Sequence, residues 1–553
     1  MHNMRLDKDV AVPMRDGATL RANVFRPEAP GRYPVLMTFG PYGKDVHLSQ
    51  FMPEAWEALK RRHPEILAAS SCKYLVFETM DPEVWVPHGY VVVKVDSRGA
   101  GKSPGFLDPN SPAEFRDFYD AIGWAGTQSW SSGKVGLLGI SYYAAGQWMI
   151  AALRPPHLAA ILPWQGASDF YRDRARQGGI FGSGFVRRWW PRSVLRNQHG
   201  NPESPFKDID SGERNTGPEA FSSEELRKNR VDYPANILAH PLDDAWYRER
   251  SPDFSRIEVP ALVVANWGGL GLHLRGTIQG YLRIASREKW LKVQSGSYFL
   301  TFLLPESVAL QRRFFDRYLK GIDNGWEREP KVEASIRTLD DRVKRDAAST
   351  GWPLAGTQWR TFFLSNGKLD HAAPDKPEKI PYDALGEGLA FRMNLSKDTE
   401  LAGPVKATLW VSSDTADMDL FATLRAYAPD GAEAAFFSAV EPRAPVSQGW
   451  LRVSQRKLDP VFSKDYFPYH AHDERRPLRP GEAAKVEVEI WPMSVALPAG
   501  SRLELLIQGR DFERSGFFLH DDPQDRPPEV FGGMNHIHLG GDTPSSLLLP
   551  VIS

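Results

Sequence analysis

Ser141 is the residue whose surroundings most clearly indicate chemistry. It follows the apolar run 135–140, which contains Gly139, and it precedes a small-residue segment, 144–146. A serine between a buried strand and a helix, with glycine two positions earlier, is typical of the tight turn that presents a nucleophile. The position two residues later is Tyr143, so the full G-x-S-x-G pattern is not met. The alternative interpretation is that Ser141 only caps the helix that follows it.

A nucleophilic serine requires a base and donors that stabilise an oxyanion. The loop Gly40-Pro-Tyr-Gly-Lys follows an early apolar strand, at a position that supplies an oxyanion donor in folds of this kind. The hydroxyl of Tyr42 is able to donate in the way that a backbone amide does. The alternative is that Tyr42 is a packing aromatic residue in a turn.

The elements around these residues alternate between strand and helix. Strand patterns cover 9–27 (a hairpin around Asp16-Gly17), 33–39, 89–95, 135–140, 160–164, 259–266 and 290–293. Helical patterns cover 52–70, 112–125, 273–286 and 306–319. This alternation predicts an α/β fold, in which helices cover both faces of a parallel sheet.

Two segments break the alternation. Residues 165–250 are rich in Arg, Trp, Gly and Pro and have few apolar strands, so we predict a mostly helical cap over the sheet. Beyond about 330, short alternating strands separated by turns predict a β-sandwich of jelly-roll type. The expected domains are an α/β domain at 1–164 and 251–330, the cap at 165–250, and the jelly roll at 331–553.

The bulk composition limits the partners. The chain has 553 residues, a net charge of −1 and one cysteine, and its N-terminus lacks the apolar segment of a signal peptide. We therefore expect a cytoplasmic enzyme that acts on a small-molecule substrate and does not bind nucleic acid or membrane. We expect no cofactor and no metal, because the histidine pairs at 470/472 and 536/538 match no zinc signature. The cap and the β domain offer surface for a homo-oligomer, and the oligomeric state is left open.

Several motifs occur in a characteristic order along the chain: Asp16-Gly17 with Leu20, Pro41-Tyr42, Asp96-Ser-Arg-Gly-Ala-Gly-Lys-Ser103, Gly139-Ile-Ser141-Tyr142, Phe314-Phe-Asp-Arg-Tyr-Leu-Lys-Gly321, and Asp414 to Phe421. In this order they resemble the CocE/NonD family of hydrolases, which includes cocaine esterase, X-Pro dipeptidyl peptidases and α-amino-acid ester hydrolases. The resemblance covers essentially the whole chain. It implies an α/β-hydrolase fold with a helical cap and a C-terminal jelly roll. It also implies Ser141 as nucleophile, with an oxyanion hole formed by the Tyr42 hydroxyl and the Tyr142 backbone N–H.

The chain departs from that family at two of the three triad positions. The family has Trp-aromatic-Asp after the strand at 261–266, whereas this chain has Trp267-Gly-Gly269. The family has a histidine after the next strand, and Tyr298 or a neighbour stands there in this chain. No Asp occurs between 254 and 315, and no His occurs between 274 and 370. Losing a triad member typically costs about 10⁴ to 10⁶ in rate, so a rewired base is required for efficient hydrolysis.

His273 is the best substitute base that the sequence offers, because it follows the strand at 261–266 on the catalytic side of the sheet. The alternative is that it only begins a helix. Aromatic and acidic residues at strand ends and at the start of the cap are expected to line the substrate pocket; these are Trp164, Trp267, Tyr298 and Asp169.

Three functions remain open from the sequence. The first is a serine hydrolase of esters or amides with an atypical base. The second is a non-hydrolytic enzyme of secondary metabolism, such as a cyclase, a lyase or a C–C bond-forming catalyst, that uses the same pocket and oxyanion donors. The third is a binding protein without catalytic activity.

Overall fold

The first third of the chain supplies six of the ten strands of a mixed sheet. A computed structural model describes residues 4–438, 443–513 and 517–552. Up to residue 164 the strands are β1 (Met4–Pro13), β2 (Thr19–Pro27), β3 (Tyr33–Gly40), β4 (Val91–Asp96), β5 (Ser131–Ile140) and β6 (Leu158–Trp164). The helices are α1 (Leu48–Phe51), α2 (Pro53–Arg62), α3 (Pro64–Ala69), α4 (Pro82–Trp85), α5 (Pro112–Thr127) and α6 (Tyr142–Leu153), with a 3₁₀ turn at Val86–His88.

The cap consists of short elements. They are a π-helical turn at Phe170–Ala175, the hairpin β7 (Arg176–Gln177) and β8 (Ile180–Phe181), α7 (Ser183–Trp189), a second π-helical turn at Trp190–Val194, a 3₁₀ turn at Leu195–Asn197, α8 (Ser223–Lys228), α9 (Tyr233–Ala239) and α10 (Ala245–Arg248). The expected mostly helical cap is therefore a set of one- and two-turn helices with long connections.

The sheet resumes after the cap. Its remaining elements are a 3₁₀ turn at Phe254–Arg256, β9 (Ala261–Asn266), a 3₁₀ turn at Trp267–Gly269, α11 (Leu274–Arg283), β10 (Lys289–Gln294), α12 (Leu300–Leu303), α13 (Pro305–Leu319), a 3₁₀ turn at Trp326–Arg328, β11 (Val332–Arg337) and β12 (Val343–Ser349). Strands β11 and β12 belong to this sheet although they follow residue 330, where the sequence suggested a boundary.

The strand order of this sheet is β1-β2-β4-β3-β5-β6-β9-β10-β11-β12. From β4 through β11 neighbouring strands are parallel, while β1, β2 and β12 pair antiparallel with their neighbours. Apolar side chains pack on both faces of the sheet in two separate cores. This arrangement confirms the predicted α/β-hydrolase fold, and it brings the carboxyl ends of β3, β5 and β9 to one edge.

The last 200 residues form a second β domain, which is antiparallel except for one parallel pair between its second and fourth strands. Its elements are β13 (Gln358–Ser365), β14 (Lys368–Asp370), β15 (Glu378–Asp383), β16 (Leu389–Asn394), β17 (Thr399–Ser413), β18 (Asp419–Tyr427), β19 (Ser447–Arg452), a 3₁₀ turn at Val453–Gln455, β20 (Ala484–Leu497), β21 (Arg502–Gln508), α14 (Pro528–Phe531), β22 (Met534–Leu539) and β23 (Ser546–Ile552). The order is β15-β22-β17-β20-β19-β18-β21-β16-β14-β13-β23, and β23 also pairs with β17. These strands enclose a third apolar core, as a jelly roll does.

One local difference from the sequence prediction has a clear physical reason. The single helix expected over 52–70 is divided at His63, because Pro64 has no N–H to continue the helix and instead begins a new one. No helix in the described ranges is long and apolar enough to cross a membrane.

Candidate active site

The turn that carries Ser141 is built by close packing between β5 and α6. Ser141 has φ 57° and ψ −110°, a conformation that non-glycine residues rarely adopt and that active sites retain despite its cost. Its N–H donates to the Trp164 carbonyl at 3.2 Å, and its own carbonyl accepts from the first turn of α6. Glycine is required at 139 because a Cβ there would lie 2.6 Å from the Cβ of Tyr143.

Tyr143 replaces the second glycine of the usual motif, and Gly40 makes room for it. A Cβ at Gly40 would lie 2.8 Å from Cε1 of Tyr143 and 3.2 Å from Cδ1 of Tyr142. The small residue thus stands on β3 instead of on α6, and the sharp turn at Ser141 is preserved.

Ser141 opens into a cavity of about 380 Å³ between the sheet edge, the cap and the β domain. Aromatic and apolar side chains form most of its wall, and four arginines and one glutamate supply the charge. The lining comprises Tyr42, Phe51, Met52, Phe77, Glu78, Ser141, Tyr142, Ala145, Ala167, Arg174, Phe185, Arg188, Trp189, Arg192, Ser193, Arg196, Leu272, His273, Tyr298, Phe517 and Phe518. Its volume and its mixture of apolar wall with few polar groups suit a small organic ligand.

Tyr42 is buried in this wall and oriented by the cap. The indole Nε1–H of Trp189 donates to the Tyr42 oxygen at 2.7 Å. Burial raises the pKa of Tyr42 well above its usual value, so the hydroxyl keeps its proton. Because its oxygen already accepts from the indole, the Tyr42 O–H remains free to donate to a ligand.

Tyr142 is the first residue of α6, so its backbone N–H has no partner within the helix. Its side chain lines the cavity and is held by Glu114, to which the Tyr142 hydroxyl donates at 2.6 Å. The rings of Tyr42 and Tyr142 lie 5.6 Å apart. The two residues that carry the implied oxyanion donors therefore both line the cavity that contains Ser141.

Glu78 is a fully buried carboxyl group beside Ser141. Burial raises its pKa to about 8, and the nearby Ser141 hydroxyl, Tyr298 hydroxyl and Tyr142 N–H lower it by smaller amounts. The Tyr298 hydroxyl donates to Glu78 Oε1 at 3.3 Å. Glu78 Oε2 is buried and has no partner at ordinary hydrogen-bond distance among the described residues. A carboxyl group that titrates near neutral pH next to a serine is suited to transfer protons.

His273 lies in the same cavity, immediately before α11. It is 5% exposed, and its Nδ1 has no partner in the part of the chain that the structure describes. Burial, with a smaller contribution from the Arg174 charge, lowers its pKa to about 3. Its ring centroid is 6.5 Å from that of Tyr298. The imidazole is therefore neutral at neutral pH and only weakly basic.

The two glycines after β9, where the sequence resemblance leads one to expect the triad acid, are closely packed. A Cβ at Gly269 would lie 2.5 Å from Oε1 of Gln165, and a Cβ at Gly268 would lie 2.8 Å from the Phe437 carbonyl. Both polar atoms of the Gln165 amide are buried without a partner among the described residues. An aspartate at 268 or 269 therefore does not fit without displacing its neighbours.

Three residues expected in the pocket lie outside its lining. Trp164 supports the Ser141 turn through its backbone, while its ring packs edge-on against Phe302. Trp267 donates its indole N–H to the Ser335 carbonyl at 2.8 Å and belongs to the core on one face of the sheet. Asp169 caps the π-helical turn at 170–175 and pairs with Arg172 at 2.9 Å.

Of the remaining expected residues, the cavity brings together Ser141, Tyr42, Tyr142, His273 and Tyr298. Sequence reasoning missed Glu78, which belongs to no motif and lies in a loop with a positive φ of 62°. It also missed Arg174, which is 6% exposed and lies 4.4 Å from the centre of the Trp189 ring. The sequence signal that could have indicated Arg174 was the high content of arginine and tryptophan in the cap.

Comparisons with known proteins agree with this architecture. The model of the X-Pro dipeptidyl-peptidase (S15 family) matches residues 16–297, and that of the X-Pro dipeptidyl-peptidase C-terminal non-catalytic domain matches residues 324–548. Cocaine esterase from Rhodococcus sp. (strain MB1 Bresler) is 24% identical over 100% of this chain and 99% of its own length. A solved CocE/NonD family hydrolase from Staphylococcus aureus is 33% identical, with a TM-score of 0.85 over 99% of this chain and 94% of that chain.

An α-amino acid ester hydrolase shares the fold, with a TM-score of 0.70 and 17% identity over 100% of this chain and 97% of that chain. The S15 model alone covers half of the sequence, and the solved relative at 33% identity spans nearly all of it. The chain therefore belongs to the S15, or CocE/NonD, family of serine hydrolases and is an enzyme of that family.

Proposed function

We propose that the protein hydrolyses an ester or amide of a small organic molecule through Ser141, with Glu78 as the base. The observation that carries the proposal is that Ser141, Glu78 and Tyr42 share one cavity, in which the one carboxyl group among the described lining residues lies beside the serine hydroxyl. The strained turn at Ser141 supports this, because such a conformation has no evident use in a serine that only caps a helix.

The chemistry follows from the positions of these groups. The Ser141 Oγ attacks the substrate carbonyl carbon while its proton passes to the ionised Glu78 carboxylate. The carbonyl oxygen becomes an oxyanion that accepts hydrogen bonds from the Tyr42 hydroxyl and the Tyr142 N–H. When the tetrahedral intermediate collapses, Glu78 returns the proton to the leaving group. A water molecule then attacks the acyl-serine. Glu78 takes the proton of the water and afterwards returns it to the Ser141 Oγ, which leaves as the free hydroxyl.

The two candidate bases differ in basicity. His273, the candidate from the sequence, has a pKa of about 3, whereas that of Glu78 is about 8. A general base is most effective when its pKa lies near the working pH. The Ser141 hydroxyl is one of the groups that lower the pKa of Glu78, whereas burial and the Arg174 charge, without a contribution from Ser141, set the pKa of His273. We therefore favour Glu78 and retain His273 as the alternative.

A second candidate function rests on Glu78 itself. A buried carboxylate near two oxyanion donors is able to remove a proton next to a carbonyl group without any covalent step at Ser141. The cavity would then serve a cyclase, a lyase or a C–C bond-forming enzyme. This alternative predicts that catalysis survives loss of the Ser141 hydroxyl but not loss of the Glu78 carboxylate.

The experiment that tests the proposal treats the wild type, Ser141→Ala, Glu78→Gln and His273→Gln with a fluorophosphonate probe and with 4-nitrophenyl esters. We expect labelling and esterase activity in the wild type, neither in Ser141→Ala, and at least a hundredfold loss of activity in Glu78→Gln. His273→Gln should retain most of the activity. Full activity in Glu78→Gln together with a large loss in His273→Gln would transfer the role of base to His273. Absence of both labelling and ester turnover in the wild type would refute the proposal.

A further inference from the structure

The charge of the cavity is strongly unbalanced. Four arginines line it, and we call them the arginine arc: Arg174, Arg188, Arg192 and Arg196. Among the described residues, the only acidic side chain in the lining is Glu78. Since burial keeps Glu78 mostly protonated at neutral pH, it does not neutralise the arc.

No carboxylate pairs with any member of the arc in the described part of the chain. Arg174 donates from Nη1 to the Asn110 amide oxygen at 2.7 Å, and its Nε is buried without a partner. Arg188 lies 6.0 Å from the Phe517 ring centre, which is a contact with an uncharged group. Arg187, by contrast, is on the same helix outside the cavity and forms an ion pair with Asp522. Among these five arginines, the ones without a carboxylate partner are therefore those that line the cavity.

The arc runs from the catalytic end of the cavity towards solvent. Arg174 is buried, with its guanidinium 5.4 Å from the Tyr142 ring centre, and it acts electrostatically on both Glu78 and His273. The other three members lie on α7 and the turns that continue it, at four-residue intervals, and become more exposed along the helix. Four-residue spacing places side chains along one side of a helix.

Exposed arginines ordinarily form a solvated helix face. Contact with solvent explains why Arg192 and Arg196 need no counter-ion, because both are exposed. It does not explain Arg174, which is buried. A buried guanidinium without a counter-ion is unfavourable, and an anionic ligand relieves that cost. Guanidinium groups bind carboxylates through paired hydrogen bonds, which gives both affinity and orientation.

We propose that the substrate of this enzyme carries a carboxylate, which the arginine arc binds while the scissile carbonyl lies at Ser141. The inference rests on the proposed hydrolysis. The aromatic wall formed by residues such as Phe77 and Phe185 suits an apolar middle section between the carboxylate and the scissile bond. The same charge pattern opposes a substrate that carries an ammonium group.

The catalytic test compares three 4-nitrophenyl esters that differ only at the far end of the acyl chain. They are the hydrogen adipate, its methyl ester, and the 6-aminohexanoate. We expect kcat/KM to be at least tenfold higher for the hydrogen adipate than for the methyl ester, and lowest for the amine. Arg192→Gln combined with Arg196→Gln should reduce the preference for the acid by about tenfold or more, since one charge-assisted hydrogen bond is worth roughly that factor. Arg187→Gln removes one arginine charge from the preceding helix α7, outside the cavity, and should leave the preference unchanged.

A binding test does not depend on hydrolysis. Ser141→Ala protein is titrated with 4-phenylbutyrate, 4-phenylbutanamide, 4-phenylbutylamine and 4-phenylbutyl phosphate by calorimetry. We expect 4-phenylbutyrate to bind at least tenfold more tightly than the amide, with an affinity that falls as salt rises. Equal affinity for the acid and the amide, or tighter binding of the amine, would overturn the proposal. Tighter binding of the phosphate than of the carboxylate would overturn the assignment of the anion.

The two tests separate the two failures. Selective binding of 4-phenylbutyrate without turnover of any ester would refute hydrolysis and keep the anion site. Turnover of all three esters at equal kcat/KM would keep hydrolysis and refute the anion site. Melting temperatures of the arginine variants check that each is folded.

Discussion

The pH dependence of ester hydrolysis distinguishes Glu78 from His273 as the base. Only the ionised carboxylate accepts the Ser141 proton, so the rate follows the ionised fraction of Glu78. With a pKa of about 8, that fraction is about 1% at pH 6, about 9% at pH 7 and about 91% at pH 9. We expect kcat/KM to rise about tenfold per pH unit from 6 to 7 and to level off above pH 8.

The perturbation is Glu78→Gln, which keeps the shape of the side chain and removes its basicity. We expect kcat/KM to fall by about 10² to 10⁴ and its pH dependence between 6 and 9 to become nearly flat. Tyr298→Phe is the matched control. The Tyr298 hydroxyl donates to Glu78 at 3.3 Å and lowers the pKa of that carboxyl group. Removing the hydroxyl should therefore move the rise of kcat/KM to higher pH.

The assay is the initial rate of 4-nitrophenolate release at low substrate concentration, from pH 5 to pH 9.5, at constant ionic strength. His273, with a pKa of about 3, predicts instead a rate that is flat across this range. A flat wild-type profile, or a Glu78→Gln variant as active as the wild type, would refute the assignment of Glu78.

The same geometry makes three further predictions. Tyr42→Phe should lower kcat by about 10² to 10³ with a small change in KM, because it removes one oxyanion donor; an unchanged kcat in steady-state kinetics would exclude that role. Gly40→Ala should lower the free energy of unfolding by about 1–3 kcal/mol, because its Cβ meets the Tyr143 ring at 2.8 Å; urea unfolding should show a smaller loss when Tyr143→Ala is already present. Glu78→Gln should change how the stability of the protein depends on pH. In the wild type the folded-state pKa of Glu78, about 8, exceeds its ordinary value of 4.5. The stability that the protonated carboxyl group contributes is therefore fully present below about pH 4.5 and is lost as the pH rises through about 8. Glutamine at this position does not ionise, so the variant does not lose stability in this way. In urea unfolding, its stability relative to the wild type should be higher at pH 9 than at pH 5, by up to roughly 4 kcal/mol.

Much of the fold was predictable from periodic patterns. The strand–turn–helix around Ser141 located the site, because a buried apolar run that ends in a serine and small residues is typical of a nucleophile turn. Hydrophobic periodicity alone suggested one helix over 52–70, although Pro64 is itself a sequence signal for the start of a new helix. The extension of the sheet to Ser349 was missed because it depends on strand pairing at the edge of the sheet, which periodicity does not report.

The chemistry of the site was less accessible. Ser141 and Tyr42 stand in motifs, whereas Glu78 lies in a loop more than sixty residues before the serine and acquires its properties only from burial. The pairing of Gly40 with Tyr143 likewise joins two elements that are distant in sequence. Such contacts arise from tertiary packing, and a single sequence contains no periodic signal for them.

The most direct test of the proposed mechanism is the formation of an acyl-enzyme. Wild-type protein is mixed with 4-nitrophenyl hydrogen adipate at pH 8.5, quenched in acid, and digested for mass spectrometry. We predict an adipoyl adduct on Ser141 that forms at least a hundredfold more slowly in Glu78→Gln and is absent in Ser141→Ala. Turnover of the ester without an adduct at Ser141, or an adduct that forms equally fast in Glu78→Gln, would contradict a serine hydrolase whose base is Glu78.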